Sequence, residues 1–154
     1  MSGVVIRPAF DAQPCAFADI TDERFEAAFE RPMQDTVLAM QRAVAEGATR
    51  IVVVVPTTAM SGGNHYAHTA MAAEAVRVLV KSAARQWGAL GVTVNAVAVD
   101  PATILADAPV AGPVSLAPSA LERADPDDVI AFLTSEASAS VTGQTIVVDG
   151  GLWM

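Results

Sequence analysis

The spacing of apolar residues changes period several times along this chain. Val4-Val5-Ile6 is a short apolar run and predicts a strand. Arg7 to Ala18 has no period and carries Pro8 and Pro14, so it reads as irregular. From Thr21 onward, Phe25, Phe29, Met33, Val37, Met40 and Val44 recur at spacings of three and four. That is one face of a long helix. Thr21 is placed to cap it, Asp22 and Glu23 load its first turn with negative charge, and Gly47 is a plausible stop. Pro32 lies inside the pattern and should kink or split the helix, because it lacks an N–H.

Arg50 to Val55 is continuous, β-branched and short, as a strand buried on both faces should be. Thr57 to His65 reads as a loop of small residues. Tyr66 to Trp87 predicts a second long helix, ended by Gly88. Its apolar positions run nearly all the way round, so it should be buried on most faces. Ala72 and Ala73 would permit close approach of another helix, as at a subunit interface. Val92 to Val99 predicts another strand. Residues 101–120 hold Pro101, Pro109, Pro113 and Pro118 and read as a loop or a partly helical lid. Asp125-Pro126 is a strong helix start, running to about Ser135. Gln144 to Val148 predicts the last strand, ended by Asp149-Gly150-Gly151. Strand and helix alternate throughout, which argues for one α/β domain with a parallel sheet and right-handed crossovers.

Composition narrows the function classes. Hydrophobic residues make up 53% of 154 residues, enough for a real core. No apolar run nears the ~20 residues of a membrane helix. The opening residues show no basic segment followed by an apolar core, so a signal peptide is not expected and a cytoplasmic protein is. The net charge of −8, with Lys81 the sole lysine, leaves no basic stripe for nucleic acid. Cys15 is the only cysteine, which excludes an intrachain disulfide and a cysteine metal cluster. His65 and His68 would share a face if the helix began before His65, but no third metal ligand is near in sequence.

Four stretches resemble one family in order along the chain. They are Ile20-Thr21-Asp22-Glu23-Arg24-Phe25, Tyr66-Ala67-His68-Thr69-Ala70, Gly91-Val92-Thr93-Val94-Asn95-Ala96-Val97-Ala98, and Val141-Thr142-Gly143-Gln144 running through Asp149-Gly150-Gly151. Together they resemble the C-terminal half of a short-chain dehydrogenase/reductase. The resemblance implies a partial Rossmann-like three-layer fold, with a roughly four-stranded parallel sheet flanked by helices. It also implies that Val4 to Ile6 is an open sheet edge, since the strand that would pair with it lies in the family's first half. Either Arg7 to Ala18 or another chain would have to cover that edge. The glycine-rich turn that would hold a dinucleotide has no counterpart here.

The resemblance further implies a tyrosine acid/base, a lysine four residues on, a serine and an asparagine. Tyr66 matches the tyrosine. Ala70 stands at the lysine position, and Lys81 lies fifteen residues beyond Tyr66, about 22 Å along the helix. The serine position falls near Pro56, Thr57 or Thr58. Pro32 aligns with the asparagine, and Val99-Asp100 with a Pro-Gly turn beside the nicotinamide. Tyr66 is therefore expected to be a vestigial catalytic position. No cofactor is expected on this chain, with any NAD(P) held by a partner subunit. The expected function is a non-catalytic subunit that assembles through helices 21–46 and 66–87, with itself or with an intact dehydrogenase. Two alternatives stand beside it. One is an oxidoreductase active only within a complex. The other is a small-molecule binding protein using the former substrate cleft under residues 101–120.

Overall fold

The computed structural model describes residues 2–112 and 125–152. Strand β1 (Ser2–Ile6) leads into coil, then into a continuous helical stretch. That stretch is α1 (Asp22–Phe25), a π turn (Glu26–Glu30) and α2 (Arg31–Ala45). Strand β2 (Ala48–Pro56), the single turn α3 (Thr58–Ser61) and α4 (Ala67–Trp87) follow. Strand β3 (Thr93–Val99), α5 (Asp127–Thr134) and β4 (Thr145–Val148) complete the order.

The sheet has the strand order β1-β2-β3-β4, and every pair is parallel. The unbroken apolar run of β2 follows from its two covered faces. Ile51, Val53 and Val55 join Met40, Val76, Val80, Val94 and Ala96 in the core under α2 and α4. Val52 and Val54 face the other way and join Val97, Val99, Ile130 and Leu133 under α5. Side chains alternate across a strand, so each layer claims every second residue. The three-layer α/β arrangement implied by the resemblance is therefore present.

Several boundaries differ from the sequence reading. Pro32 neither breaks the helix nor divides it. The Arg31 N–H bonds to Glu26 O, five residues back, so the chain passes through a π turn just before the proline. Pro32 then occupies the first turn of α2, where a missing N–H is tolerated. The 57–65 loop contains the α3 turn. Helix α4 begins at Ala67, with Tyr66 as its N-cap. Helix α4 ends at Trp87 with Gly88 as its C-cap, as expected, and a 3-10 turn (Gly88–Leu90) follows, closed by Gly91 at φ 74°. Ala72 and Ala73 are fully buried in this chain's own core, so they serve the packing of α4 on the sheet and not a subunit contact.

The edge of β1 is left open among the described residues. Arg7 to Ala18 does not pair with it. Instead Ala106 N–H bonds Ala12 O at 2.8 Å, and Cys15 N–H bonds His65 O at 2.7 Å. The segment thus runs past the strand ends to the N-terminus of α4.

Candidate functional site at the strand ends

Two of the four sequence motifs, around Arg24 and Tyr66, meet through residues 11–13 near the start of α4. The other two meet each other at the start of β3, where Asn95 donates to Val141 O. Tyr66 sits at the N-cap with φ −126° and ψ 25°. Its side chain is fully buried and packs with Leu105 and Ala111 from the 101–112 loop. Its hydroxyl donates to Ala12 O (3.3 Å) and accepts from the Asp107 N–H (3.1 Å). Both hydrogen-bonding roles of the phenol are taken up by backbone.

Thr57 and Thr58 are fully buried at the end of β2, and neither hydroxyl has a partner among the described residues. Gly63 lies between Thr58 and Tyr66: a methyl placed on it would stand 3.2 Å from Tyr66 Cβ and 3.4 Å from Thr58 Cγ2. The structure therefore brings Tyr66 and Thr58 together. It does not add a cation. Ala70, one turn beyond Tyr66, is buried. Thr69 is the other hydroxyl in the first turn of α4, and it donates to Asp11 O at 2.5 Å. One turn beyond Thr69 is Ala73. Neither hydroxyl is followed by a lysine. Lys81 lines a separate cleft with Arg85 and Gln144.

His68 is fully buried, and its ring stacks near Tyr66 with centroids 6.2 Å apart. Nε2 lies 3.2 Å from Gln13 O and 3.6 Å from Asp11 Oδ2. Burial pushes the imidazole below its usual pKa; the Asp11 carboxylate opposes that shift and the Arg24 guanidinium adds to it. Arg24 pairs with Asp11 at 2.9 Å and also donates to Gln13 O at 2.9 Å. His65 lies outside the helix at φ 58° and is exposed, so the two histidines do not share a face. Among the described residues no three His, Cys, Asp or Glu side chains gather as a metal site would need.

Asp11, Ala12, Gln13 and Arg24 were not singled out from the sequence. Asp11, Ala12 and Gln13 contribute backbone carbonyls from a segment with no periodicity, so no pattern marks them. The cleft beside them, of about 270 Å³, is lined by Arg7, Pro8, Phe10, Val54, Thr103 and Ile104. Arg7 reaches Asp127 at 3.7 Å, with both side chains exposed. Of the 101–120 lid, residues 101–112 form two 3-10 turns (Pro101–Thr103 and Ala108–Ala111), and residues 113–120 lie outside the described residues.

The parallel sheet and the segments around Tyr66 match a known family of proteins. The family described as enoyl-(acyl carrier protein) reductase matches residues 2–153. The chain belongs to the short-chain dehydrogenase/reductase family. The 3-oxoacyl-(acyl-carrier-protein) reductase of Staphylococcus epidermidis is 39% identical over 85 residues, which is 49% of this chain and 34% of that protein. The same enzyme of Staphylococcus aureus is 40% identical over 83 residues, again 49% of this chain and 34% of that protein. A short-chain type dehydrogenase/reductase from Mycobacterium ulcerans superimposes with a TM-score of 0.81 at 23% identity. That superposition covers 99% of this chain and 60% of the other. A 3-ketoacyl-ACP reductase from Sinorhizobium meliloti gives 0.76 at 21% identity, over 98% and 68%. The matches to the staphylococcal reductases span about a third of those proteins' length.

Proposed function

We propose that this chain is a non-catalytic member of its family that works as a subunit. It assembles through the α1–α2 stretch and α4, with itself or with an intact dehydrogenase, and leaves the chemistry and the NAD(P) to that partner. The observation that carries the reading is Tyr66. Its hydroxyl is buried and bonded on both sides to backbone, with Ala70 one turn on. A free phenol has a pKa near ~10 and needs a nearby cation to act as a base at neutral pH. Shifting the register to Thr69 and Ala73 leaves the same gap.

The strand ends point the same way. A dinucleotide needs glycines in a strand-to-helix turn, with the helix N-terminus at the pyrophosphate. After β1 the chain enters coil through Arg7-Pro8, with Arg7 turned to Asp127. After β2 only the four-residue α3 follows. After β3 stands Asp100, whose carboxylate caps the Ala102 N–H and would repel a phosphate. The residues present do not fit a nicotinamide dinucleotide, and the proposed role of this chain includes no hydride transfer of its own.

The test has two arms. The purified chain, given NADPH or NADH and a 3-oxoacyl thioester, is expected to show neither turnover nor quenching of nucleotide fluorescence. Turnover that disappears in Tyr66→Phe would overturn the non-catalytic reading. In the second arm, the tagged chain is recovered from its native host. An oligomer of the chain, or an intact dehydrogenase at fixed stoichiometry, is expected. A lone monomer would sink the assembly reading.

A further inference from the structure

Most arginines of this chain face a carboxylate: Arg7 with Asp127, Arg24 with Asp11, Arg31 with Glu26, Arg50 with Glu136 and Arg77 with Glu74. Among the described residues, Arg42, Lys81 and Arg85 pair with none. Arg42 lies on α2, whereas Lys81 and Arg85 are exposed on α4, four residues apart. That spacing sets the two on one helix face, about 6 Å apart along the axis. Residues 75–99 and 137–148, which form their surroundings, contain no Asp or Glu, although the chain has 17.

The two cations line a cleft of about 360 Å³ with Ala84, Thr142, Gly143 and Gln144. Gly143, at φ 71°, lays its turn against α4: a methyl placed on it would stand 3.5 Å from Ala84 Cβ. The turn is fastened to β3. Gly143 N–H donates to Val94 O at 2.8 Å, and the Thr142 hydroxyl accepts from the Val94 N–H at 3.1 Å. The hydroxyl's own hydrogen remains to donate. Gln144 gives one amide hydrogen to Thr142 O at 3.0 Å and keeps a second. The cleft thus offers two cations, a hydroxyl and an amide as donors, and no carboxylate lines it. A carboxylate is satisfied by a single arginine fork, whereas a phosphate group presents three strong acceptor oxygens and up to two charges. Donors arriving from two separate elements fit the phosphate.

We propose that this cleft binds a small anion carrying a phosphate group, as a phosphomonoester or as free phosphate. Lys81 and Arg85 meet its charge, and Thr142 and Gln144 donate to its oxygens. The site is distinct from the cluster around Tyr66. Val94 is the second residue of β3 and Gln144 directly precedes β4, so the cleft lies at the N-terminal ends of those strands. It therefore goes beyond the non-catalytic reading and does not depend on it.

Isothermal titration calorimetry on the full chain at constant ionic strength tests it, with inorganic phosphate, glycerol 3-phosphate and acetate as probes. Saturable one-to-one binding of a phosphate probe is expected, with acetate weaker by about ten-fold or more. Lys81→Ala and Arg85→Ala should each weaken phosphate binding about ten-fold, the loss of one charge-assisted contact. Arg42→Ala removes the unpaired cation on another helix and should leave binding unchanged. Circular dichroism confirms that each variant folds. Glycerol 3-phosphate binding more tightly than inorganic phosphate would support an ester as the ligand, and equal or weaker binding would support free phosphate. No saturation by either phosphate probe at millimolar concentration would overturn the site. So would binding that survives both the Lys81 and the Arg85 variant, or an equal loss in Arg42→Ala, the mark of net charge alone.

Discussion

The Tyr66 hydroxyl accepts from one loop and donates to another, so its removal touches two segments at once. In Tyr66→Phe the Asp107 N–H loses its acceptor, whereas Ala12 O keeps the Ala106 N–H. We expect a loss of about 1–2 kcal/mol, read as a lower denaturation midpoint at unchanged slope. His68 belongs to the same cluster and makes it pH-sensitive. Its imidazole is held neutral by burial, so its folded pKa lies below the unfolded value near ~6.5. Below that pH the unfolded chain takes up a proton that the folded chain resists. Stability is then full above about pH 6.5 and declines as the pH falls toward the depressed folded pKa. His68→Asn should flatten this acid limb in urea titrations between about pH 7 and 5. An identical acid slope in the variant would exclude His68 as the source. The sequence showed Tyr66 and the missing lysine, but not this cluster. Its other members are carbonyls and a carboxylate of an irregular segment and the Arg24 guanidinium of α1, brought to α4 by the path of the chain.

At the scale of elements, the helix that begins at Thr21 was legible from its cap and from the row of Phe25, Phe29, Met33 and Val37. The Thr21 hydroxyl accepts from the Arg24 N–H at 3.2 Å. Thr21→Ala should cost about 1 kcal/mol, measured by thermal or urea unfolding. A cost near zero would mean that the α1 end frays and contributes little. How the helix passes Pro32 was not legible. A proline removes one donor, and either a break or a wider turn can absorb the loss. The packing of Met40 and Ala43 on the sheet requires α2 to continue, so the π turn is the outcome. Gly47, at φ 84°, stops α2 as its position suggested, and α4 ends at Gly88 as expected, although the left-handed residue there is Gly91, after a 3-10 turn. A glycine marks where the left-handed conformation is easy, and only the following strand decides which glycine uses it.

At the scale of the molecule, α5 seals the second face of the sheet with few residues. Ile130 and Leu133 are its buried contacts to Val52, Val54, Val97 and Val99. Leu133 is fully buried, and Leu133→Ala should cost about 2–5 kcal/mol in chemical denaturation. A cost below about 1 kcal/mol would show that this layer is loosely held. No described helix is long and apolar enough to cross a membrane. The open outer edge of β1 is a feature of the whole arrangement, since it depends on what the rest of the chain leaves uncovered.

The sequence by itself determined the alternation of strands and helices, the parallel sheet, the family, and the absence of a lysine one turn beyond Tyr66. These follow from local period, from capping chemistry and from residue identity, all carried by neighbours along the chain. Only the tertiary structure decided that Ala72 and Ala73 pack inward and that Arg7 to Ala18 leaves the edge of β1 open. It alone decided that the Tyr66 hydroxyl is spent on two backbone groups. Those outcomes depend on which distant segments compete for the same surface, and a one-dimensional pattern carries no record of that competition.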